Sequence, residues 1–588
     1  MRWEVVPTDP SAVDSLVRRL GVSRFLASLL SARVGTNPDE VERFLSPRLA
    51  DFADPMSLPG VSRAVDRVCK AILEQQRIVV YGDYDADGIT SVCLLLTFLR
   101  DLGVRADYML PSRFVDGYGL NDARVREIVE LGYDLVITVD CGSASADEVR
   151  FLRENGVDAV VTDHHQVRDG GPADALAFVN PYTWEDARYG VLAGVGVAFL
   201  LVSGIWIRLK SHPSFAGKLP NLKDYLDLVT MGTVADMVPL RGLSRTLVHH
   251  GLKRMSEAPL RPGMQALREV AIQGRPLDTS AVAFYMAPRL NAAGRLGSAA
   301  AAVDLLLSPA YSQAIPLARQ LHEENDRRKA LEKGIFEQAD GLLSAMWKQG
   351  PFHAAVLASP DWHRGVLGIV ASRLVERYFR PVVLLSVEGG EATGSGRSIP
   401  GFDLGGALAD CSDLLLRHGG HTMAAGLTLE VGRIEELTHR LEQLVAERVP
   451  EGNLLPRLSI DAIVPLSQVD SSMVVDLERL VPYGMGNPEP VIGVRGVRVV
   501  SVQRVGQGAE HLKLKVEQDG RVLEAIWFRS PPVKVSVGDV VDLAFHPEIR
   551  SYLQQTFLQL RLKDLVLPGL GEAAEKQTSE GPGARAMN

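Results

Sequence analysis

The chain has 588 residues, too many for one hydrophobic core, so several domains are expected. Hydrophobic residues make up 46% and charged residues 23%, the balance of an ordinary globular protein, which excludes a disordered or fibrous chain. The net charge of -9 excludes nucleic-acid binding through the whole surface and leaves room only for a local basic groove. Four cysteines without a CxxC pair argue against a disulfide framework and fit a reducing cytoplasm.

In chain order, MRWEVVPTDP lacks the basic and apolar regions of a signal peptide. LVRRLGVSRFLASLL (Leu16–Leu30) has helical spacing, and residues 1–50 read as an N-terminal helical segment. Helices and apolar strands then alternate. AVDRVCKAILEQQ precedes the strand RIVVYGD, and TSVCLLLTFLRDLG precedes ADYMLPSR. NDARVREIVELG leads to LVITVD, and SADEVRFLRENG leads to AVVTDHH. This alternation predicts an α/β domain over 51–260 with a mostly parallel sheet. The longest apolar stretch, Val191–Ile207, is rich in Gly and Val and falls short of a ~20-residue membrane span. It reads as a buried helix, so no membrane partner is expected.

Residues 261–350 read as helical, with Ala318–Met346 forming one long connecting helix. A second, smaller α/β domain is expected over 351–450. From 458 to 567 about five strands with short turns predict a small β-barrel. The Gly-, Glu- and Ser-rich tail 568–588 is expected to be disordered. No internal repeat is evident.

Three apolar strands end in charge. IVVYG runs into Asp83, Asp85 and Asp87; LVITV runs into Asp140; AVVT runs into Asp163, His164 and His165. In an open parallel sheet, ligands bind beyond the carboxyl ends of the strands, so these clusters converge. Asp236 ends a further apolar segment, with the small residues Gly232 and Ala235 beside it. Any single Asp here reads more readily as a helix N-cap than as a ligand. DYDADG alone resembles a calcium loop, but the Glu of an EF-hand is missing. Together, carboxylates and imidazoles suit Mn²⁺, Mg²⁺ or Zn²⁺. Their number suits two ions about 3.5–4 Å apart, the arrangement that activates water against a phosphoryl group.

GDYDADGITS, VDCGS, TDHHQ and GTVADMVPL are similar, in order and spacing, to the four motifs of the DHH phosphoesterase superfamily. PSRFVDGYGLN, LAGVGVAF and APRLNAAGR resemble its RecJ branch more narrowly. WHRGVLGIVASRLVERY, GSGRSIPGFDL and RHGGHTMAAGL resemble the DHH-associated domain, and PYGMGNPEPV with GAEHLKLKV resembles the start of an OB (oligonucleotide-binding) barrel. The resemblance covers nearly the whole chain. It implies a 5′→3′ exonuclease on single-stranded DNA that uses two Mn²⁺ or Mg²⁺ ions and releases mononucleotides in recombination and repair. It also implies a cytoplasmic monomer working beside a single-strand-binding protein and a repair helicase. Tyr81 stands where many superfamily members carry a His ligand, and Asp83 is expected to supply that ligand.

On this basis Asp140 is expected to bridge the ions, Asp83, Asp85 and Asp87 to divide between them, and His164 and Asp236 to complete one. His165 is expected to face the scissile phosphate and Asp163 to orient a His. Ser395, Arg397, Gly419, Gly420 and His421 read as a phosphate cradle, or alternatively as tight turns. Arg113, Tyr118, Arg289, Asn291 and Arg295 are expected on the DNA, with an arginine in a domain interface as the plainer reading. Two other classes compete. DHH hydrolases of small nucleotides or pyrophosphate generally lack the barrel. An inactive helicase cofactor of this fold would have lost metal ligands, whereas every acid and both motif histidines are present here.

Overall fold

The computed structural model describes residues 1–51, 54–112, 119–167, 170–185, 189, 192–552 and 555–567. Arg113, Tyr118 and the tail 568–588 lie outside the described residues. The chain divides into two units, Leu49–Pro456 and a second made of Met1–Arg48 with the chain from Arg457 onward.

The larger unit opens on five parallel strands, in the order Ala106–Met109, Ile78–Gly82, Leu135–Val139, Asp158–Thr162 and Ala177–Val179. The central strands are buried along their length because helices cover both faces. Alternate side chains feed different cores: Val80, Ile137 and Val160 enter one, Val79, Val136 and Val161 the other. The register sets Gly82, Val139 and Thr162 level with one another. The next residue on each strand is Asp83, Asp140 or Asp163, so pairing alone brings three motif acids to one line at the sheet edge.

The long apolar stretch forms the helix Gly194–Lys210, buried for most of its length. Among the described residues no helix is long and apolar enough to cross a membrane. The connecting helix runs from Tyr311 to Gln349, 39 residues and roughly 60 Å. Its buried stripe is Ala314, Ala318, Leu321, Asn325, Glu332, Ile335, Ala339 and Leu343, steps of three, four and once seven that keep one face inward. The first three join the core of the parallel-sheet domain, and the last three join a core with Trp362 and Val370. The stripe is polar only in its middle.

Beyond it lies a second five-stranded sheet, ordered Arg417–Gly420, Ala424–Glu430, Glu391–Arg397, Val382–Glu388 and Ala355–Ser359. Only the last pair is parallel.

The smaller unit is a barrel of five strands, Ile492–Val505, His511–Gln518, Arg521–Trp527, Val540–Tyr552 and Gln555–Val566. The first pairs antiparallel with the fourth, and the third parallel with the fifth, which closes the sheet. The helices Pro10–Leu20, Arg24–Arg33 and Pro38–Leu45 share its core, where Leu16, Leu26 and Leu30 join Val494, Leu512 and Leu543. Arg2–Val5 pairs parallel with Arg457–Ile460, and Arg33 binds Asp461 at 2.7 Å.

Candidate metal centre

Asp85 caps the helix Ala86–Asp101, accepting from the N–H groups of Asp87 at 2.9 Å and Gly88 at 3.1 Å. A helix cap and a ligand role use different lone pairs of one carboxylate, so the two readings of this Asp are compatible. Asp87, 1% exposed, accepts from Gly194 N–H at 2.6 Å and Val195 N–H at 3.0 Å, the first turn of the apolar helix. That turn therefore supplies the positive end of a helix dipole to a buried carboxylate.

Asp140 is also 1% exposed and has φ 61°, a left-handed conformation that a non-glycine residue holds only at a cost. Its Oδ1 lies 3.0 Å from His164 Nε2, which is 3.8 Å from Asp87 Oδ2 and 3.6 Å from Asp236 Oδ2. Asp236 comes from the C-terminal end of the helix Leu226–Ala235, so the fourth motif reaches the site from a helix and not from a strand. A Cβ on Gly232 in that helix would sit 2.6 Å from Asp87 Oδ1, so only glycine lets it approach. Tyr81, the His-equivalent position, is buried and donates its hydroxyl to Gly119 O at 3.0 Å.

Asp163 sits behind the row. It accepts from Ser143 N–H at 2.9 Å, from the N–H groups of His164 and His165, and from His165 Nδ1 at 2.8 Å. Burial would raise its pKa, but the bond and charge of His165 and the Ser143 N–H hold it well below the usual carboxylate range. Burial opposes protonation of His165, yet the Asp163 bond and charge push its pKa up to about 9. Burial and the adjacent His165 push His164 down to about 4, which leaves its ring neutral. A neutral imidazole is the form that binds a metal.

The remaining acids repel one another. Burial, then Asp85, raises Asp87 to about 7; burial, then Asp87 and Asp85, raises Asp236 to about 9; burial and the surrounding carboxylates raise Asp140 well above its usual range. Divalent cations among them would remove that repulsion. The donors fall into three sets, each with its ligand atoms within 4.8 Å of one another: Asp83–Asp85–Asp140, Asp87–His164–Asp236 and Asp140–His164–His165. Carboxylate oxygen with neutral imidazole fits Mn²⁺ or Mg²⁺.

Family comparisons agree with this geometry. Residues 77–233 match the DHH family N-terminal domain, 349–447 the DHHA1 domain and 460–564 the RecJ OB domain. The chain is 36% identical over 563 residues to the single-stranded-DNA-specific exonuclease RecJ of Haemophilus influenzae, covering 92% of this chain and 96% of that protein. It is 34% identical over 578 residues to its Bacillus subtilis counterpart, covering 96% and 70%. The chain belongs to the RecJ family. The crystal structure of RecJ in complex with Mn²⁺ from Thermus thermophilus aligns with a TM-score of 0.83 at 32% identity, covering 96% of this chain and 80% of that one.

The other expected site residues divide into groups. Ser395, Gly426 and Gly419 stand side by side on three adjoining strands, and Arg397 pairs with Ala424 two residues further along. Gly420 and His421 are exposed at the same edge, where His421 N–H donates to Ala424 O at 2.8 Å. Arg397 packs against Gly368 and donates to Gly396 O at 2.9 Å; among the described residues it meets no carboxylate at ion-pair distance. Burial alone lowers its pKa. Asn291 is nearer the metal loop than expected, since its Oδ1 accepts from Ala86 N–H at 2.8 Å. Arg289, 4% exposed, does not offer its guanidinium at the outer surface. Arg295 donates to Gly365 O at 3.3 Å, across to the second sheet domain.

Sequence reasoning on this RecJ-family chain missed Ser143, Gly194 and Asn180. Asn180 Nδ2 donates to Ser143 Oγ and to His165 O, both at 2.9 Å, and so ties two motif loops together. Gly194 carried a signal: a glycine opening an apolar helix. Ser143 ends the VDCGS motif, while Asn180 carried no signal beyond position.

Proposed function

We propose that this chain is a metal-dependent exonuclease that degrades single-stranded DNA 5′→3′ to mononucleotides in recombination and repair. The observation that carries the reading is the set of donors on the level strand ends, in a chain of the RecJ family. Its relatives are named as single-stranded-DNA-specific exonucleases, and RecJ has been crystallised with Mn²⁺ and with Mg²⁺. Asp140 joins Asp83 and Asp85 in one donor set and lies 3.0 Å from His164 of the other, so it would be the bridge. Asp83 and Asp85 would join it at one ion; Asp87, His164 and Asp236 would hold the other. Two such ions, when bound, activate water and clamp the oxygens of an in-line phosphoryl displacement. The test is incubation of the full chain with single-stranded and duplex DNA of one sequence, with Mn²⁺ or chelator. Loss of the single strand alone, and only with metal, is expected; degradation of the duplex at the same rate overturns the reading.

Asp163 fixes the His165 ring, and His165, 39% exposed, faces the scissile phosphate. His165→Ala is expected to keep both metals while turnover falls about 10²–10⁴-fold. Metal loss in that variant, measured by titration calorimetry, would move His165 into the ligand set.

Polarity requires recognition of a 5′ end. Arg397, a half-buried guanidinium that meets no carboxylate at ion-pair distance among the described residues, and the glycine edge beside Ser395 form the cradle for a terminal 5′ phosphate. Arg397→Ala is expected to abolish most of the preference for a 5′-phosphorylated over a 5′-hydroxyl end. An unchanged ratio of kcat/KM for the two ends would place the cradle elsewhere.

The barrel holds the trailing strand. Its second strand carries the exposed Lys515 and Lys513, the latter paired with Glu524 of the third strand at 2.9 Å, with the rings of His511 and Phe528 5.2 Å apart beside them. A substrate that exists only where duplex has been opened supports a helicase and a single-strand-binding protein as partners. The chain would meet them as a monomer in the cytoplasm.

A further inference from the structure

Asp85 lies between two residues that one distant helix holds. Its side chain caps the helix Ala86–Asp101 and takes the Asp87 and Gly88 N–H groups, and its carbonyl takes the Ile89 N–H at 2.8 Å. The cap leaves the N–H of Ala86, a residue 1% exposed. Asn291 Oδ1 accepts that N–H at 2.8 Å, from the helix Ala287–Leu296. Three residues on, and so on the same helix face, Gly294 meets the chain on the other side of Asp85. A Cβ at Gly294 would sit 2.5 Å from Tyr84 O.

The helix that carries this pair is itself fixed. Ala287, Leu290 and Ala293 join the core of the parallel-sheet domain, and Ala292 is fully buried. A hydrogen bond just after Asp85 and a backbone contact just before it leave that residue little room to shift at the sheet edge. Asp87 takes its bonds elsewhere, from the Gly194 and Val195 N–H groups. The acids assigned to different ions therefore have separate supports, and loss of one support should reach one ion first.

We propose that Asn291 and Gly294 are positioning residues that hold Asp85 in place for the metal ion it would share with Asp83 and Asp140. The inference rests on the reading of Asp85 as a metal ligand. Asn291 then acts on metal affinity, through the backbone of the metal loop, and not by contact with DNA.

The test compares Asn291→Leu, Asn291→Asp and Gly294→Ala with Asp85→Asn in the full chain. The readouts are Mn²⁺ binding by titration calorimetry, kcat and KM on single-stranded DNA, and Tm in chelator. Asn291→Leu removes the acceptor at nearly constant volume. It should weaken one Mn²⁺ about 10–100-fold and leave the other within about threefold. Its kcat should fall and recover as Mn²⁺ is raised, while KM for DNA changes by less than about twofold. Asn291→Asp keeps an acceptor oxygen and should recover most of the affinity. Gly294→Ala should resemble Asn291→Leu. If Asp85→Asn leaves Mn²⁺ binding unchanged, the ligand reading of Asp85 fails, and the inference with it. If Asp85→Asn weakens one ion and neither Asn291→Leu nor Gly294→Ala does, the inference alone is overturned. A raised KM with unchanged Mn²⁺ binding in Asn291→Leu would make Asn291 a DNA contact and overturn it as well. Equal weakening of both ions in Asn291→Leu and Asn291→Asp, with a matching fall in Tm, would mark a packing residue and also overturn it.

Discussion

Asp140→Ala is expected to lower hydrolysis by at least about 10³-fold and to release at least one metal ion. The carboxylate stands at the centre strand of the level row, between Asp83 and Asp163, in one ligand set and 3.0 Å from His164 of the other. Its backbone is held at φ 61° and its side chain is 1% exposed. The metal-free fold should respond in the opposite sense. Burial and the surrounding carboxylates raise the Asp140 pKa well above its usual range, so removing this group relieves repulsion. Tm measured with chelator should therefore stay level or rise while activity disappears. Two bound ions with near-normal turnover in this variant would contradict the bridging role.

Gly194→Ala is expected to cost nearly as much, although Gly194 carries no side chain to react. A Cβ there would sit 2.5 Å from Asp140 Cβ and 2.7 Å from its Oδ1. The same residue donates its N–H to Asp87 Oδ2 at 2.6 Å, so the helix cannot retreat without losing that bond. Overpacking of this kind costs about 1–3 kcal/mol. Displacing ligands by about 1 Å lowers turnover by about 10²-fold. Gly196→Ala is the control, because the atom its Cβ would meet first is Cδ2 of the Leu192 side chain, at 3.2 Å. Metal affinity and turnover should fall in the first variant and change little in the second. Equal effects in both would show that the helix, and not the approach to Asp140, governs the result.

The metal centre was legible because it depends on local pattern. An apolar strand that stops at an Asp announces its own carboxyl end, and parallel pairing then lines up Gly82, Val139 and Thr162. The buried helix Gly194–Lys210 was legible because it is apolar all round. The partnership of the N-terminal helices with the barrel was not. Arg33 and Asp461 pair across 428 residues, and each residue alone is an ordinary charge. Asn291 shows a similar limit. Its motif marked it for the site, but the Ala86 N–H it accepts from lies 205 residues away, and no periodicity encodes that bond. Tertiary placement also decides Arg289, since a guanidinium on a helix gives no sign in sequence of which of its neighbours will bury it.

The most direct measurement follows label release from one single-stranded DNA labelled at its 5′ end or at its 3′ end, with Mn²⁺, Mg²⁺ or chelator. The account predicts that 5′ label leaves at once as mononucleotide, that 3′ label stays on a shortening ladder, and that chelator stops both. Early release of 3′ label as mononucleotide, internal fragments from both substrates, or unchanged digestion in chelator would contradict it.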